Sequence, residues 1–261
     1  MKFFFVLALG RSGTALIADL LSHSEDQEVR VNHEPSPIDP KLMCLRYSGS
    51  FDDALDGMLR KRFQEVLAND ADRSIYGEVN SYLRYESRWL RKTFSPAILH
   101  LVRDGRDFVR SAYTRTVYTP WEEHLPIVPK DDDPYAAHWS HMDRFEKLCW
   151  YWRHTNEMLQ RDIADHVRLE DVLESYEHAR NQLIEPLGLE IPFETWRSAV
   201  ERPKNTSKQN IRAQKLRNFL LRRHRPRFQP LPHWSRWDSE KKRRFWEICG
   251  DVMQSLGYST P

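Results

Sequence analysis

GRSGT, residues 10–14, places two glycines, an arginine and two hydroxyl side chains within five positions. Glycine lets a backbone approach a ligand closely, and the free N–H groups of a helix start favour an anion. Arg11 adds a full charge, and Ser12 and Thr14 add hydroxyls. The string is not a Walker A loop. GxxxxGK[ST] needs a lysine before its final hydroxyl, and here Gly13 holds that place. No strand-ending carboxylate suited to magnesium accompanies it. The loop reads as a site for an anionic group handled without a metal.

A second stretch, LVRDGRDFVRSAY at 101–113, sets Arg103 at the end of an apolar run and Ser111 eight residues further on. If a strand passes into a helix here, Ser111 lies two turns along it. A guanidinium fork plus a hydroxyl at such a junction suits a second, separate phosphate. The plainer alternative is an arginine and a serine in surface contacts.

These residues need elements to position them. Phe3 to Leu9 is continuously apolar, as in a strand buried on both faces, and the helix pattern continues through 15–22. Behind Met1 and Lys2 this opening also has features of a secretory signal. Arg11 interrupts the apolar run, and no persuasive cleavage site follows, so strand, loop and helix is the better reading. EVRVNHE (28–34) alternates as a second strand and stops at Pro35. A helix is expected at about 52–67, strands at 74–79 and 97–102, and helices at 85–94, 103–115 and 142–162. DHVRLE (165–170) reads as a last strand and 171–188 as a helix ended by Gly188. Ser239 is expected to cap a closing helix stopped by Gly257. Alternating strands and helices imply an α/β fold, a central parallel sheet flanked by helices in three layers. Residues 10–14, 33–35, 78–81 and 103–106 all follow strands, so they are expected to converge at one rim, where such sheets hold ligands.

GRSGTALI followed by LVRDGRDFVRS resembles the 5′-phosphosulfate loop and 3′-phosphate motif of sulfotransferases that use 3′-phosphoadenosine 5′-phosphosulfate (PAPS). VRLEDVLESYEHARNQLIEPLGLE is similar to that family's later strand–helix stretch, and the final LGY to many bacterial-type members. The likeness spans nearly the whole chain and implies a P-loop-like fold. It implies that Arg11, Ser12, Gly13, Thr14 and Ala15 hold the 5′-phosphosulfate, and that Arg103 and Ser111 hold the 3′-phosphate. The implied reaction is metal-independent, in-line transfer of a sulfuryl group to a hydroxyl or amine. Arg11 would stabilise charge on the leaving phosphate.

The acceptor must lose a proton, which calls for a general base. Many bacterial, carbohydrate and tyrosyl-protein members carry a glutamate after a strand in the region of HEP (33–35), which implies Glu34. His33 should face the other way if strand alternation persists. An ion pair of Glu34 with Arg11 is the bland alternative. In GEVN (77–80), Asn80 stands where the cytosolic branch has a histidine, and Glu78 reads as a base or as a buried ion-pair partner. PHWSRW (232–237) offers Arg236, Trp234 or Trp237 as nucleotide contacts or as core.

Composition narrows the rest. Lys and Arg number 40 against 38 Asp and Glu, a balance that suggests no nucleic-acid binder. An acid-free basic stretch runs from Arg202 to Trp237; a solvated helix, a nucleotide cover and a surface for an acidic acceptor all fit it. Three separated cysteines fit a reducing, cytoplasmic setting. No apolar run has the roughly 20 residues that span a bilayer. The chain is expected to form one domain over 1–261, with an acceptor-side excursion at about 116–145. That excursion holds or adjoins Tyr118, Trp121, His124, Tyr135, His138, Trp139 and His141, with no defensible metal spacing. The acceptor, a small molecule or carbohydrate, and the oligomeric state are unspecified. The alternatives are a P-loop nucleotide kinase-like enzyme using ATP and magnesium, and a catalytically inactive nucleotide-binding partner protein.

Overall fold

The computed structural model of the chain describes residues 1–26, 28–49, 52–68, 70, 72–122, 127–201 and 228–259. The first apolar run forms strand β1, Lys2–Ala8, and helix α1 follows at Thr14–Leu21. Strand β2 is Val29–His33, helix α2 Asp39–Ser48, helix α3 Asp52–Leu67 and strand β3 Ile75–Asn80. A 3-10 turn at Tyr82–Tyr85 leads into α4, Ser87–Phe94. Strand β4 is Ala97–Val102, α5 Gly105–Ala112, α6 Arg144–Asp162 and β5 His166–Arg168. Helices α7 (Leu169–Glu174), α8 (Tyr176–Ala179), α9 (Phe193–Glu201) and α10 (Ser239–Ser255) complete the described elements.

The five strands form one parallel sheet in the order β2-β3-β1-β4-β5. β1 lies in the middle, which is why its side chains from Phe4 to Ala8 are wholly buried. Phe4, Val6 and Ala8 face α1, α7, α8 and α9, and Phe5 and Leu7 face α2, α3 and α4. The α/β architecture, a parallel sheet between helical layers, is therefore the expected one. β2 is an edge strand and only partly buried. Helices α5, α6 and α10 share a third apolar cluster built on Trp150, Trp152 and Phe245.

Several elements depart from the sequence reading. α2 and α9 lie where no helix was expected; α2 starts just beyond the Pro35 stop, with Pro40 in its first turn. The single helix expected at 171–188 is broken. Ser175 is extended (φ −137°, ψ 127°), its hydroxyl accepts from His178 N, and a π turn at Arg180–Ile184 follows. The last strand stops at Arg168, because α7 begins at Leu169. Asp238, not Ser239, caps the closing helix, its carboxylate accepting from Lys241 N at 2.7 Å.

The excursion is anchored. Trp150 Nε1 donates to Asp133 at 3.0 Å, Tyr135 OH donates to Glu247 O, and Trp139 packs on Trp150 and Tyr118. Residues 123–126, with His124, and residues 202–227 of the basic stretch lie outside the described residues.

Candidate functional site

All five strands run the same way, so the segments that leave their carboxyl ends share one rim. Arg11, Glu34, Ser81 and Arg103 leave four different strands and line one cleft of about 860 Å³. The convergence expected from strand order is present.

The 10–14 turn carries two left-handed residues, Arg11 (φ 79°) and Gly13 (φ 86°). The torsion at Gly13 calls for glycine, and a Cβ there would lie 2.7 Å from Leu169 Cδ1 and push that side chain of α7 aside. Arg11 has no such licence; a non-glycine residue with this torsion is a strained one. Ser12 Oγ is buried and, among the described residues, has no hydrogen-bond partner. Among the described residues, the N–H groups of Gly13, Thr14 and Ala15 meet no backbone acceptor at the start of α1. An orphaned hydroxyl and free N–H groups at a helix start fit a phosphate-like anion.

The two motifs meet directly. Arg11 Nε donates to Ser111 Oγ at 3.0 Å, and Arg103 Nη1 donates to the Arg11 carbonyl at 3.1 Å. Arg115 lines the same cleft. Burial first, and then the charges of Arg115 and Arg103, lower the Arg11 pKa to about 10. Arg11 stays protonated near neutrality, but in an unfavourable field that an anionic ligand would reverse. Asp107 pairs with Arg103 only at 3.7 Å, whereas Asp104 is taken by Arg106. The turn itself is held by Glu170, which accepts from Asp104 N at 3.0 Å and from Tyr258 OH at 2.8 Å. The RLED and LGY stretches thus brace the turn after Arg103.

Glu34 is also left-handed, with φ 46°. Its Oε1 accepts from Ser81 Oγ at 2.5 Å and from Ser81 N at 3.4 Å. His33 does not face away as alternation implied: its Nε2 lies 3.9 Å from Glu34 Oε1 and 3.0 Å from Thr14 Oγ1. The cause is local. The strand ends at His33, and the left-handed turn at Glu34 swings both side chains to the same rim. Among the described residues the Glu34 carboxylate is held by Ser81, with His33 Nε2 3.9 Å away, and not by Arg11.

Glu78 is wholly buried and fully committed. Arg62 donates to both of its oxygens, at 2.5 and 2.7 Å, Tyr76 OH donates at 2.7 Å and Asn80 Nδ2 at 3.0 Å. Burial would pull the Arg62 pKa down, but hydrogen bonds to Asp39 and Glu78 outweigh it and hold the group above its ordinary value. The ion-pair alternative therefore describes Glu78. Asn80 Oδ1 accepts from Tyr82 N and Leu83 N, so this network shapes the turn that presents Ser81.

The remaining candidates separate cleanly. Tyr118 lines the cleft; Trp121 and His138 are exposed and point to no shared site. Trp237 is core, with Nε1 donating to Pro232 O, and Arg236 is exposed, so neither lines the cleft. Among the described residues no group of three or more His, Cys, Asp or Glu could hold a metal ion. Arg84, Arg115 and Tyr151 line the cleft but were not singled out by sequence. No motif marks them, because only chain folding brings them to this rim.

No protein-family model matches the chain, and no curated protein matches it. Among solved structures the chain is similar to mouse sulfotransferase SULT7A1 complexed with PAP. Identity is 12%, the match covers 97% of this chain and 85% of that one, and the TM-score is 0.45.

Proposed function

We propose that the protein is a PAPS-dependent sulfotransferase that moves a sulfuryl group to a hydroxyl or amine without a metal. The observation that carries this reading is the contact between the two anion motifs, with Arg11 on Ser111 and Arg103 on the Arg11 carbonyl. A nucleotide phosphorylated at both ends matches two adjoining cationic subsites. Arg11, Ser12, Gly13, Thr14 and Ala15 are assigned to the 5′ end, and Arg103 and Ser111 to the 3′-phosphate. The bacterial-type branch belongs to the same proposal and rests on Glu34 and the closing LGY.

The donor supplies the sulfuryl group and a leaving phosphate. Arg11 and the free N–H groups of the loop stabilise the negative charge that grows on that phosphate as the S–O bond breaks. Glu34 removes the acceptor proton as the new bond to sulfur forms. Ser81 occupies Oε1, which leaves Oε2 to receive the proton. His33 bonds Thr14 and lies between it and Glu34.

Calorimetry tests the donor assignment. The protein should bind 3′-phosphoadenosine 5′-phosphate at least a hundredfold more tightly than adenosine 5′-phosphate, since each charge-assisted contact is worth about 1.5–3 kcal/mol. Arg103→Ala should erase most of that preference. Equal affinity of the wild type for the two nucleotides sinks the reading, and ATP binding that needs magnesium would favour the kinase-like alternative.

A further inference from the structure

The cleft contains a cation that the donor reading does not use. Arg84 is 2% exposed and lines the cleft from the turn after β3. The buried Arg62 is matched by Asp39 and Glu78, and the half-buried Arg46 by Glu86 and Asp56. Arg84 is different. It donates to two neutral acceptors, the Ser81 carbonyl and the Tyr151 hydroxyl, each at 2.5 Å; the Tyr85 hydroxyl, also neutral, lies beside it, and among the described residues its buried Nε meets no acceptor in good hydrogen-bond geometry. Its guanidinium lies over the rings of Tyr85 and Tyr151, at 5.1 and 5.5 Å from their centroids. Among the described residues, no carboxylate forms an ion pair with it.

An unpaired buried charge is costly, and a protein gains by matching it. Arg84 lines the cleft, so an anion bound there would lie beside this charge. The same cleft carries Tyr82, Tyr118, Tyr151, Met43 and Ile127, and one further carboxylate, Glu122, whose Oε2 accepts from Tyr118 N. The aromatic side chains accept a flat ring, and Arg84 accepts a planar carboxylate as a fork. Ser81 sets the spacing: its hydroxyl donates to Glu34 while its carbonyl accepts from Arg84. The base and the cation therefore flank a single residue, Ser81, on one side of the cleft.

We propose that Arg84 recognises the acceptor and that the acceptor is a compact hydroxy-aromatic acid, with its carboxylate on Arg84 and its hydroxyl on Glu34. The fate of the hydroxyl rests on the sulfuryl-transfer reading; carboxylate recognition rests on the cleft alone. Arg11 and Arg103 are assigned to the donor and the charge of Arg115 acts on Arg11, so Arg84 is left for the second substrate.

The test uses two probes that share the hydroxyphenyl ring and differ at the side-chain end, a carboxylate in 4-hydroxyphenylacetate and a neutral hydroxymethyl in 2-(4-hydroxyphenyl)ethanol, titrated calorimetrically with and without saturating 3′-phosphoadenosine 5′-phosphate. The wild type should bind the acid roughly ten- to a hundredfold more tightly than the alcohol. Arg84→Gln should erase the preference. Arg84→Lys, which keeps the charge but loses the fork, should retain only part of it, and nucleotide affinity reports whether either variant is folded. Equal wild-type affinity for the two probes, or binding of neither, overturns the assignment of Arg84. A protein that prefers the acid but does not distinguish the 3′-phosphorylated nucleotide keeps this assignment and loses the sulfotransferase reading.

Discussion

Arg103 donates from Nη1 to the carbonyl of Arg11 at 3.1 Å, so the arginine of the second motif holds the backbone of the first. Arg11 in turn reaches Ser111, on the helix that follows Arg103. Loss of either side chain should therefore disturb both ends of a bound bisphosphate, not one.

Arg11 illustrates a balance between binding and stability. Its charged form is disfavoured by burial and by Arg115 and Arg103, and its torsion is left-handed. Arg11→Met removes the charge repulsion, so the ligand-free melting temperature should hold or rise by a few degrees, each kcal/mol being worth about 2–4 °C in a chain of this class. The stabilisation given by 3′-phosphoadenosine 5′-phosphate should disappear, and turnover should fall on the order of a hundredfold or more. Thermal scans with and without nucleotide check this; an unchanged ligand shift would remove Arg11 from the site.

Two glutamates near the rim should behave oppositely. Glu34→Gln keeps the size and removes the basicity, so turnover should drop by roughly two to four decades with nucleotide affinity kept. Glu78→Gln breaks a buried pair with Arg62 and should cost about 3–5 kcal/mol of stability. Steady-state rates beside denaturant curves separate the two. A stable Glu78→Gln protein without activity, next to an active Glu34→Gln, would reverse the assignment.

Metal removal is a third test. The 10–14 loop carries Arg11 but no Walker lysine, and its charge comes from side chains of this chain. Transfer from PAPS should be undiminished by EDTA. Activity lost on chelation and restored by magnesium would favour kinase-like chemistry.

Acid should weaken the fold through a buried histidine. His100 in β4 bonds Asn156 through Nε2 at 2.9 Å, and burial lowers its pKa to about 4. The unfolded chain takes up the proton below about 6.5, and the folded chain does so only near 4. The stability is thus complete above about 6.5 and falls as pH drops through this window, by about 3 kcal/mol in all. His154, held low by burial, acts in the same direction. Melting temperature against pH should show this slope in the wild type and a shallower one in His100→Gln; parallel slopes would refute the role of His100.

By itself the sequence determined the strand–loop–helix opening, the parallel α/β class and both arginine–serine motifs. These rest on local rules: continuous apolar runs at strand length, glycine where the torsion is left-handed, and hydrophobic spacing along helices. Glu34 was legible through likeness to a family, but its setting was not. Strand alternation placed His33 on the opposite face; the left-handed turn at Glu34 brought it to Thr14 instead. Glu78 could be read as base or as ion-pair partner until Arg62, from a helix elsewhere in the chain, closed on it. Arg84 carried no sequence signal at all. Its meaning comes from a missing carboxylate among its described neighbours, and neighbours distant in the chain are chosen by packing. Local periodicity fixes which face a residue takes within its own element; only the assembled sheet and helices decide which charges are left without a partner.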